Sequence, residues 1–294
     1  MNKLFSLIFT IFLILSSCDN PFAKNEEQET QQSLDDTLPI KQLYCSQITD
    51  ELYASHRCDK ITFKALQVAF CNNGSIDGHY DDGKWYRWDL DTDEPCFKDG
   101  QDLGSKSPCS GDGLIAATHA WLTQGNQPQA ARTVQYLEDN DWICGEGYTG
   151  FTKCGKLKWL LRSVRDYLEG DDIHAPAYVS AAIAASGLVD LSDLLKEFNK
   201  YLVALHAYAF GRMNHVFSDQ TMKILRDLVD SSPDSMIFQA LYHRYLDGDQ
   251  QKALEIIKRE CPADAMPTDV NYANWGSSPR AIHCIVAISI LQGV

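Results

Sequence analysis

The chain of 294 residues carries 26 basic and 40 acidic residues, which gives a formal net charge of −14. Such an excess of negative charge argues against a nucleic-acid partner and against adsorption of the protein surface to anionic lipid. It is compatible with cationic partners or neutral ligands such as glycans, although a merely solvated acidic surface has the same composition.

The N-terminus predicts an exported lipoprotein. Lys3 precedes Leu4–Leu15, an apolar run that is shorter than the roughly 20 residues of a membrane span and fits the core of a signal peptide. The run ends in Leu15-Ser16-Ser17-Cys18, which resembles the lipobox of bacterial lipoprotein precursors. The resemblance implies removal of residues 1–17 and acylation of Cys18, with palmitate among the chains. An ordinary secretory signal with a stray cysteine is the alternative.

Residues 18–37 are predicted to form the lipidated cysteine and a flexible acidic tether. Phe22 and Leu34 are the only large apolar residues between positions 19 and 36, too few to support a fold. A coil of about 20 residues reaches roughly 25 Å. Residues 38–294 then form a single domain, which we expect at the cell envelope, facing either the periplasm or the cell surface.

Helical periodicity dominates the domain and predicts an all-α fold. The predicted helices cover residues 61–70, 112–123, 128–140, 156–168, 176–186, 191–210, 219–230, 233–246, 250–260 and 279–291. Pro128 at a helix start and Gly125 after a helix end follow the usual placement of these residues. Ser218 is expected to cap the helix that begins at residue 219.

Two predicted helical hairpins, residues 114–137 and 236–259, share a pattern. In each, an aromatic-bearing helix ends near a glycine, Gly125 or Gly248, and an alanine-containing helix follows. The pattern resembles units of tetratricopeptide-like arrays and equally the hairpins of α/α-toroids, which are common among glycan-active enzymes. Because the other hairpins keep no fixed period, a regular solenoid is disfavoured and we expect a toroid-like array.

Residues 72–111 are predicted to form an irregular, acidic and aromatic loop region tied by disulfides. Export permits such bonds. Cys58 and Cys71 flank a predicted helix about 20 Å long, so Cys45 is expected to pair with one of them. The other expected pairs are Cys96–Cys109, Cys144–Cys154 and Cys261–Cys284. With Cys18 lipidated, nine of the ten cysteines remain, so at least one lacks an intramolecular partner.

Two short motifs flank the first hairpin. The run SPCSGDG at 107–113 leads into a helix, and Asn140-Asp141-Trp142 later runs into Gly145-Glu146-Gly147. Together they resemble a group of secreted bacterial proteins in which Ser-x-Asp opens a helix and a Gly-acid-Gly turn follows the next one. The resemblance implies that Asp112 and Glu146 lie near each other, and it implies no activity.

Asp112 and Glu146 are therefore the candidate catalytic residues, as general base and general acid on a glycosidic bond. Each has a structural alternative. Asp112 at a helix start can satisfy free N–H groups and the helix dipole. Glu146 between two glycines can be a plain turn residue.

Five aromatic residues in or beside predicted loops are candidate ligand-binding residues, because exposed rings can stack on sugars: Trp85, Trp88, Trp142, Tyr148 and Trp275. Rings that merely cover the core have the same placement. Arg280, at the start of the last helix, is a candidate contact for an anionic group, with a solvated arginine as the alternative.

No strong metal site is predicted. Asp89, Asp91 and Asp93 alternate as in a calcium loop, but Glu94 replaces the required glycine and Gly100 the last ligand, which excludes an EF-hand and leaves a looser calcium site. No spacing of cysteine and histidine predicts zinc, and the helical histidines are expected to be ordinary, hydrogen-bonded residues.

The function expected from these features is a binding or scaffold role at the cell envelope, on a concave helical surface, with a glycan or a protein as the partner. The alternative is a glycoside hydrolase or lyase-like enzyme that uses the carboxylate pair. The sequence itself leaves catalysis open.

The lipobox gives a first prediction. The full chain expressed in bacteria should incorporate labelled palmitate and sediment with membranes, whereas Cys18→Ala should lose both properties because the acylated thiol is gone. Ser17→Ala, which keeps a small residue before the cysteine, serves as the control and should retain the label. Palmitate in the Cys18→Ala chain would contradict the assignment.

Overall fold

The structure, a computed structural model, describes residues 34–49, 52, 60–87, 97–98, 101–102, 111–147, 150–171, 197–213, 217–269 and 279–293. Over these ranges the chain forms ten helices and three small antiparallel β-hairpins. The all-α fold class is therefore confirmed for the described residues.

The helices are α1 (Leu38–Gln47), α2 (Lys60–Cys71), α3 (Gly111–Gln124), α4 (Gln127–Asp139), α5 (Lys158–Glu169), α6 (Glu197–Arg212), α7 (Asp219–Ser231), α8 (Met236–Leu246), α9 (Gln250–Glu260) and α10 (Arg280–Gln292). The strands are β1 (Tyr80–Asp81), β2 (Lys84–Trp85), β3 (Phe97–Lys98), β4 (Gln101–Asp102), β5 (Ile143–Gly147) and β6 (Gly150–Lys153), and each pairs with its sequence neighbour.

Five helices, α2, α3, α6, α8 and α10, form the centre of the molecule and are called the inner helices below. They are apolar on most of their surface, as a helix buried on all sides must be. In α10, for example, every residue from Ala281 to Leu291 is buried. The inner helices pack in the order α2, α3, α6, α8, α10, and α10 packs back against α2.

The remaining helices are largely amphipathic and cover the inner ones. Helix α1 packs on α2 and α10, α7 on α6 and α8, and α9 on α8 and α10. Helices α4 and α5 pack on each other and on α3, and α5 also reaches α6. Each outer helix thus buries one apolar stripe, as in α5, where Leu160, Leu161 and Val164 are buried.

The first turns of the inner helices meet at one end of the molecule, the N-terminal rim. Thr62 in α2 donates a hydrogen bond to Asp112 in α3 over 3.1 Å. The rings of Tyr201 in α6 and His283 in α10 lie 5.4 Å apart. Lys200 in α6 donates over 3.1 Å to Ser232, which shortly precedes α8.

The last turns meet at the opposite end, the C-terminal rim. Thr123 in α3 donates over 2.8 Å to the Ala69 carbonyl in α2 and accepts over 2.7 Å from Arg212 in α6. The rings of Tyr208 and Tyr245 in α6 and α8 are 6.4 Å apart. The five inner helices therefore run parallel to one another.

Both predicted hairpins form at the C-terminal rim, as α3–α4 and α8–α9. Gly125 has φ +62°, and the side chain of Asn126 caps α4 by accepting from Gln129 N. In the second hairpin the left-handed residue is Asp247, φ +56°, rather than the neighbouring glycine, and Asp249 caps α9. Both turns thus contain a left-handed residue followed by a helix cap, although in the second turn Asp247 takes the left-handed conformation in place of a glycine.

The predicted helices agree with the observed ones to within a few residues over the described ranges, and Ser218 caps α7 as expected. The helix predicted over 176–186 lies outside the described residues. Helix α1 and the hairpin β5–β6 were not predicted, because each is short and lacks the periodicity of a longer element.

Three disulfides agree with the expected pairs. Cys45 bonds Cys71, one of its two candidate partners, with Cα atoms 5.4 Å apart. Cys144–Cys154 closes the hairpin β5–β6, and Cys261–Cys284 joins the end of α9 to the first turn of α10, with Cα separations of 5.8 and 5.9 Å. Cys58 and the predicted pair Cys96–Cys109 lie outside the described residues.

The β1–β2 turn gives a stability prediction. Gly83 has φ +94°, and a Cβ atom there would lie 2.6 Å from the Arg132 carbonyl oxygen of α4. Gly83→Ala should therefore lower the free energy of unfolding by about 2–4 kcal/mol in urea titrations, through strain and overpacking together. Gly125→Ala is the matched control, since its φ is +62° but its Cβ meets nothing within 4 Å. Equal losses in both variants would contradict the packing argument.

Candidate functional site

Asp112 lies at the N-terminal rim, in the first turn of α3, and only 6% of its surface is exposed. Its Oδ2 accepts the hydrogen bond from Thr62. This position suits a carboxylate that stabilises the positive end of the helix dipole. The burial of Asp112 therefore favours its structural interpretation, a carboxylate that stabilises the start of α3.

Tyr201 is the neighbour of Asp112 across the rim. Burial, helped by the negative charge of Asp112, raises the pKa of the Tyr201 hydroxyl. The phenol therefore stays protonated at neutral pH. Lys60 and Lys200, only 4% and 6% exposed, lie in the first turns of α2 and α6. The rim thus combines a carboxylate, a phenol and two ammonium groups.

The hairpin β5–β6, which carries Glu146, belongs to the same end of the molecule. The hairpin follows α4, which runs back from the C-terminal rim. Just beyond the hairpin, the side chain of Leu157 lies next to Gly111 at the start of α3. Glu146 pairs through its backbone with Phe151. Its side chain lies outside those described, so the Asp112–Glu146 acid–base pair stays a prediction.

The space between the inner helices is filled rather than open at the level of the buried histidines. His119 Nε2 donates to the Leu205 carbonyl over 3.0 Å, and its Nδ1 faces Arg212. Its ring lies 5.4 Å from Phe70 and 5.6 Å from Tyr208. These rings therefore fill the space between α2, α3 and α6 at this level.

His206 departs from the expectation of an ordinary hydrogen-bonded histidine. It is fully buried, it stacks on Phe210 at 5.4 Å, and neither ring nitrogen has a hydrogen-bond partner among the described residues. Burial lowers its pKa to about 4. Burial likewise lowers the pKa of His119 and of His283 to about 3, with the Arg212 charge contributing at His119. All three histidines are neutral at pH 7.

Trp85 corrects the expectation of an exposed sugar-stacking ring. It is 2% exposed, its Nε1 donates to Thr133 over 2.8 Å, and its ring packs 5.7 Å from Trp121. The cavity beside it has a volume of about 10 Å³, room for one water molecule at most. Trp85 therefore covers the core, because the β1–β2 hairpin folds onto α3 and α4.

Trp142 remains partly exposed at the start of β5. Asp141 and Trp142 are consecutive left-handed residues, φ +52° and +60°, a strained arrangement that non-glycine residues seldom adopt. Lys158 Nζ and the Arg162 guanidinium lie 5.6 and 5.5 Å from the centre of the Trp142 ring. Cation–π contacts therefore occupy part of this ring.

Arg280 is held by neighbouring carboxylates. Its Nη2 lies 2.6 Å from Asp269 Oδ1 and its Nη1 3.8 Å from Glu260 Oε2. This pairing corrects both sequence expectations, a solvated arginine and an arginine free to bind an anion. Asp269 was not foreseen because it lies in a loop without a motif.

Other predicted site residues lie outside the described residues: Trp88, Tyr148, Trp275, Asp89, Asp91 and Asp93. Among the residues that the structure does describe, no group of histidine, cysteine and acidic side chains could hold a metal ion. None of the described helices is both long and apolar enough to cross a membrane.

Comparisons with known protein families, with curated proteins and with solved structures give no match to this chain.

The buried histidines predict an acid-sensitive fold. A histidine with a lowered pKa binds its proton only in the unfolded chain between about pH 6.5 and its folded value, so stability falls as pH drops through that range. Each such histidine contributes a slope of about 1.4 kcal/mol per pH unit. His206→Phe, which keeps the stack on Phe210, should remove one such slope between pH 6.5 and about 4 in urea titrations. An unchanged slope would contradict the assignment.

Proposed function

We propose that this protein is a lipid-anchored binding protein of the cell envelope, and that its ligand binds at the N-terminal rim. The main support for the proposal is that several charged side chains and a β-hairpin lie together at that rim. Asp112, Lys60, Lys200 and the β5–β6 hairpin all lie there, whereas the tight turns at 125–126 and 247–249 lie at the other end. Long connections carried on a rigid scaffold commonly hold binding residues.

The arrangement expected of the domain is an α/α-toroid. The packing order of the inner helices returns from α10 to α2, their directions are parallel, and amphipathic helices cover them from outside. These features support the toroid that the hairpin pattern suggests. In such an arrangement the filled interior leaves the rim, rather than a deep concave face, as the surface for a ligand.

Binding is favoured over catalysis by the state of Asp112. A general base has to reach the proton that it removes. Asp112 instead is 6% exposed and accepts a hydrogen bond from Thr62 inside the first turn of α3. This placement supports a structural role for the Asp112 carboxylate. The glycan-active enzyme is the alternative that an experiment has to exclude.

The proposed location follows from the lipobox and agrees with the disulfides. Cys45–Cys71, Cys144–Cys154 and Cys261–Cys284 are bonds that form outside the cytoplasm in most bacteria. A tether of about 20 residues would hold the domain within a few nanometres of the membrane, where envelope glycans and envelope proteins are the available ligands.

The test is cosedimentation of the full chain with purified peptidoglycan sacculi, with mass spectrometry of the supernatant. We expect the chain to bind and no soluble saccharide to be released. Glu146→Gln should bind sacculi as the wild type does and should likewise release no soluble saccharide. Asp112→Asn should lower the free energy of unfolding by about 1–3 kcal/mol, because a buried carboxylate at a helix N-terminus loses its charge.

Two outcomes would contradict non-catalytic glycan binding. Release of saccharide that stops in Glu146→Gln would establish the enzyme alternative. Absence of binding to sacculi, with the chain folded by circular dichroism, would remove the glycan as the ligand.

A further inference from the structure

Positive charge is concentrated in one short stretch of this acidic chain. Five of the 26 basic residues fall at positions 153–165 and no acidic residue does, although the formal net charge of the chain is −14. The stretch leads from the hairpin β5–β6 through a short turn into α5, so it begins at the N-terminal rim. A basic segment thus lies directly beside the hairpin at the rim where we propose that a ligand binds.

Two of these basic side chains lie against indole rings. Lys158 Nζ is 5.6 Å and the Arg162 guanidinium carbon 5.5 Å from the centre of the Trp142 ring. The same guanidinium carbon is 6.0 Å from the centre of the Trp159 ring. Cation–π attraction therefore holds the positive groups and the two indoles together as one cluster.

Lys156 lies beside this cluster, in the turn before α5. A Cβ atom on its neighbour Gly155 would be 3.8 Å from Trp142 Cβ, so the turn packs next to the indole. Lys156 is exposed, and Lys158 and both indoles are partly exposed. The surface that we call the cationic face consists of Trp142, Lys156, Lys158, Trp159 and Arg162.

The lysines of the cationic face form no ion pair within the described part of the chain. Arg162 is neutralised by Glu138, since 2.5 Å separates its Nη2 from Glu138 Oε1. No described carboxylate lies within ion-pair distance of the ammonium of Lys156 or Lys158. Both ammonium groups are therefore available to a ligand.

Helix stability does not account for these lysines. Lys158 is the first residue of α5 and Lys156 precedes it, at the end where the helix dipole is positive and further positive charge is unfavourable. The first turn of α5 contains no acidic residue that would offset this charge. The backbone that carries the indole is also strained, because Asp141 and Trp142 are both left-handed. Strain of this kind clusters at binding and catalytic sites.

We propose that the cationic face binds an acidic glycan, whose carboxylates pair with Lys156 and Lys158 while a sugar ring contacts the exposed part of an indole. The inference rests on the proposed function, because it names the chemistry of the ligand at the N-terminal rim. A glycan strand is narrow enough to contact this face alone. An anionic membrane or a nucleic acid would also meet the surrounding surface of a chain with a net charge of −14, which repels it.

The experiment measures binding of the full chain, in detergent, to polygalacturonate by calorimetry and to purified sacculi by cosedimentation. We expect both to bind, and we expect the affinity to fall as sodium chloride is added, because the contacts are ionic. Lys156→Gln combined with Lys158→Gln should weaken binding of polygalacturonate about tenfold, or about 1.4 kcal/mol, the loss of two exposed ion pairs. The Tm of this double variant should be unchanged or higher, because charge is removed from the positive end of α5.

The matched control is Lys223→Gln combined with Lys252→Gln. It removes the same charge from exposed positions of α7 and α9, and it should bind like the wild type. If the first double variant does not fold, Lys156→Gln alone replaces it, with an expected loss of about threefold.

The outcomes separate this inference from the proposed function. Binding to sacculi that is equal in the wild type and in the Lys156 and Lys158 variants would overturn the role of the cationic face and leave the proposed function intact. Binding of polygalacturonate through the two lysines, without binding to sacculi, would support the site and contradict sacculi as its ligand. Absence of binding to both would overturn both proposals.

Polyglutamate of equal charge distinguishes a glycan from an acidic polypeptide. It offers the lysines the same carboxylates without a sugar ring, so it should bind more weakly than polygalacturonate. Equal or tighter binding of polyglutamate would overturn the assignment to a glycan.

Discussion

The common direction of the five inner helices is the constraint on which the rest of the structure depends. Parallel helices align their dipoles, so positive ends collect at one rim and negative ends at the other. The chain compensates each end with side chains: Asp112 lies at the start of α3, and Arg212 donates to Thr123 in the last turn of the same helix. An outer helix must return the chain before each new inner helix, which explains why amphipathic and fully buried helices alternate through α6–α10.

Local signals made much of this fold predictable. Helix periodicity, the cap at Ser218 and the turn at Gly125–Asn126 depend on residues within a few positions of each other, so the sequence displays them directly. Cys144–Cys154 was predictable for the same reason, since it closes a short hairpin. The choice of Cys71 over Cys58 for Cys45 was not, because it depends on how α1 lies against α2.

The candidate sites were less predictable, because burial is a property of distant contacts. Trp85 looked like a loop residue, and its ring is covered because Thr133 and Trp121 come from helices far along the chain. Arg280 is neutralised by Asp269 in a loop that has no motif. His206 carried no spacing signal, and a polar residue on an otherwise apolar helix face is the one local sign that could have marked it.

The Cys45–Cys71 bond has a mechanical consequence. In the proposed lipid-anchored form, a pull on the membrane anchor would reach α1, the first described helix, whose main contacts with the inner helices are with α2 and α10. Peeling such a helix from the surface would normally require little force. The bond instead passes the load across to the last residue of α2, a helix that nine buried side chains fix in the interior. In the proposed anchored form, the bond would let the domain bear tension at its N-terminal end without unravelling from there.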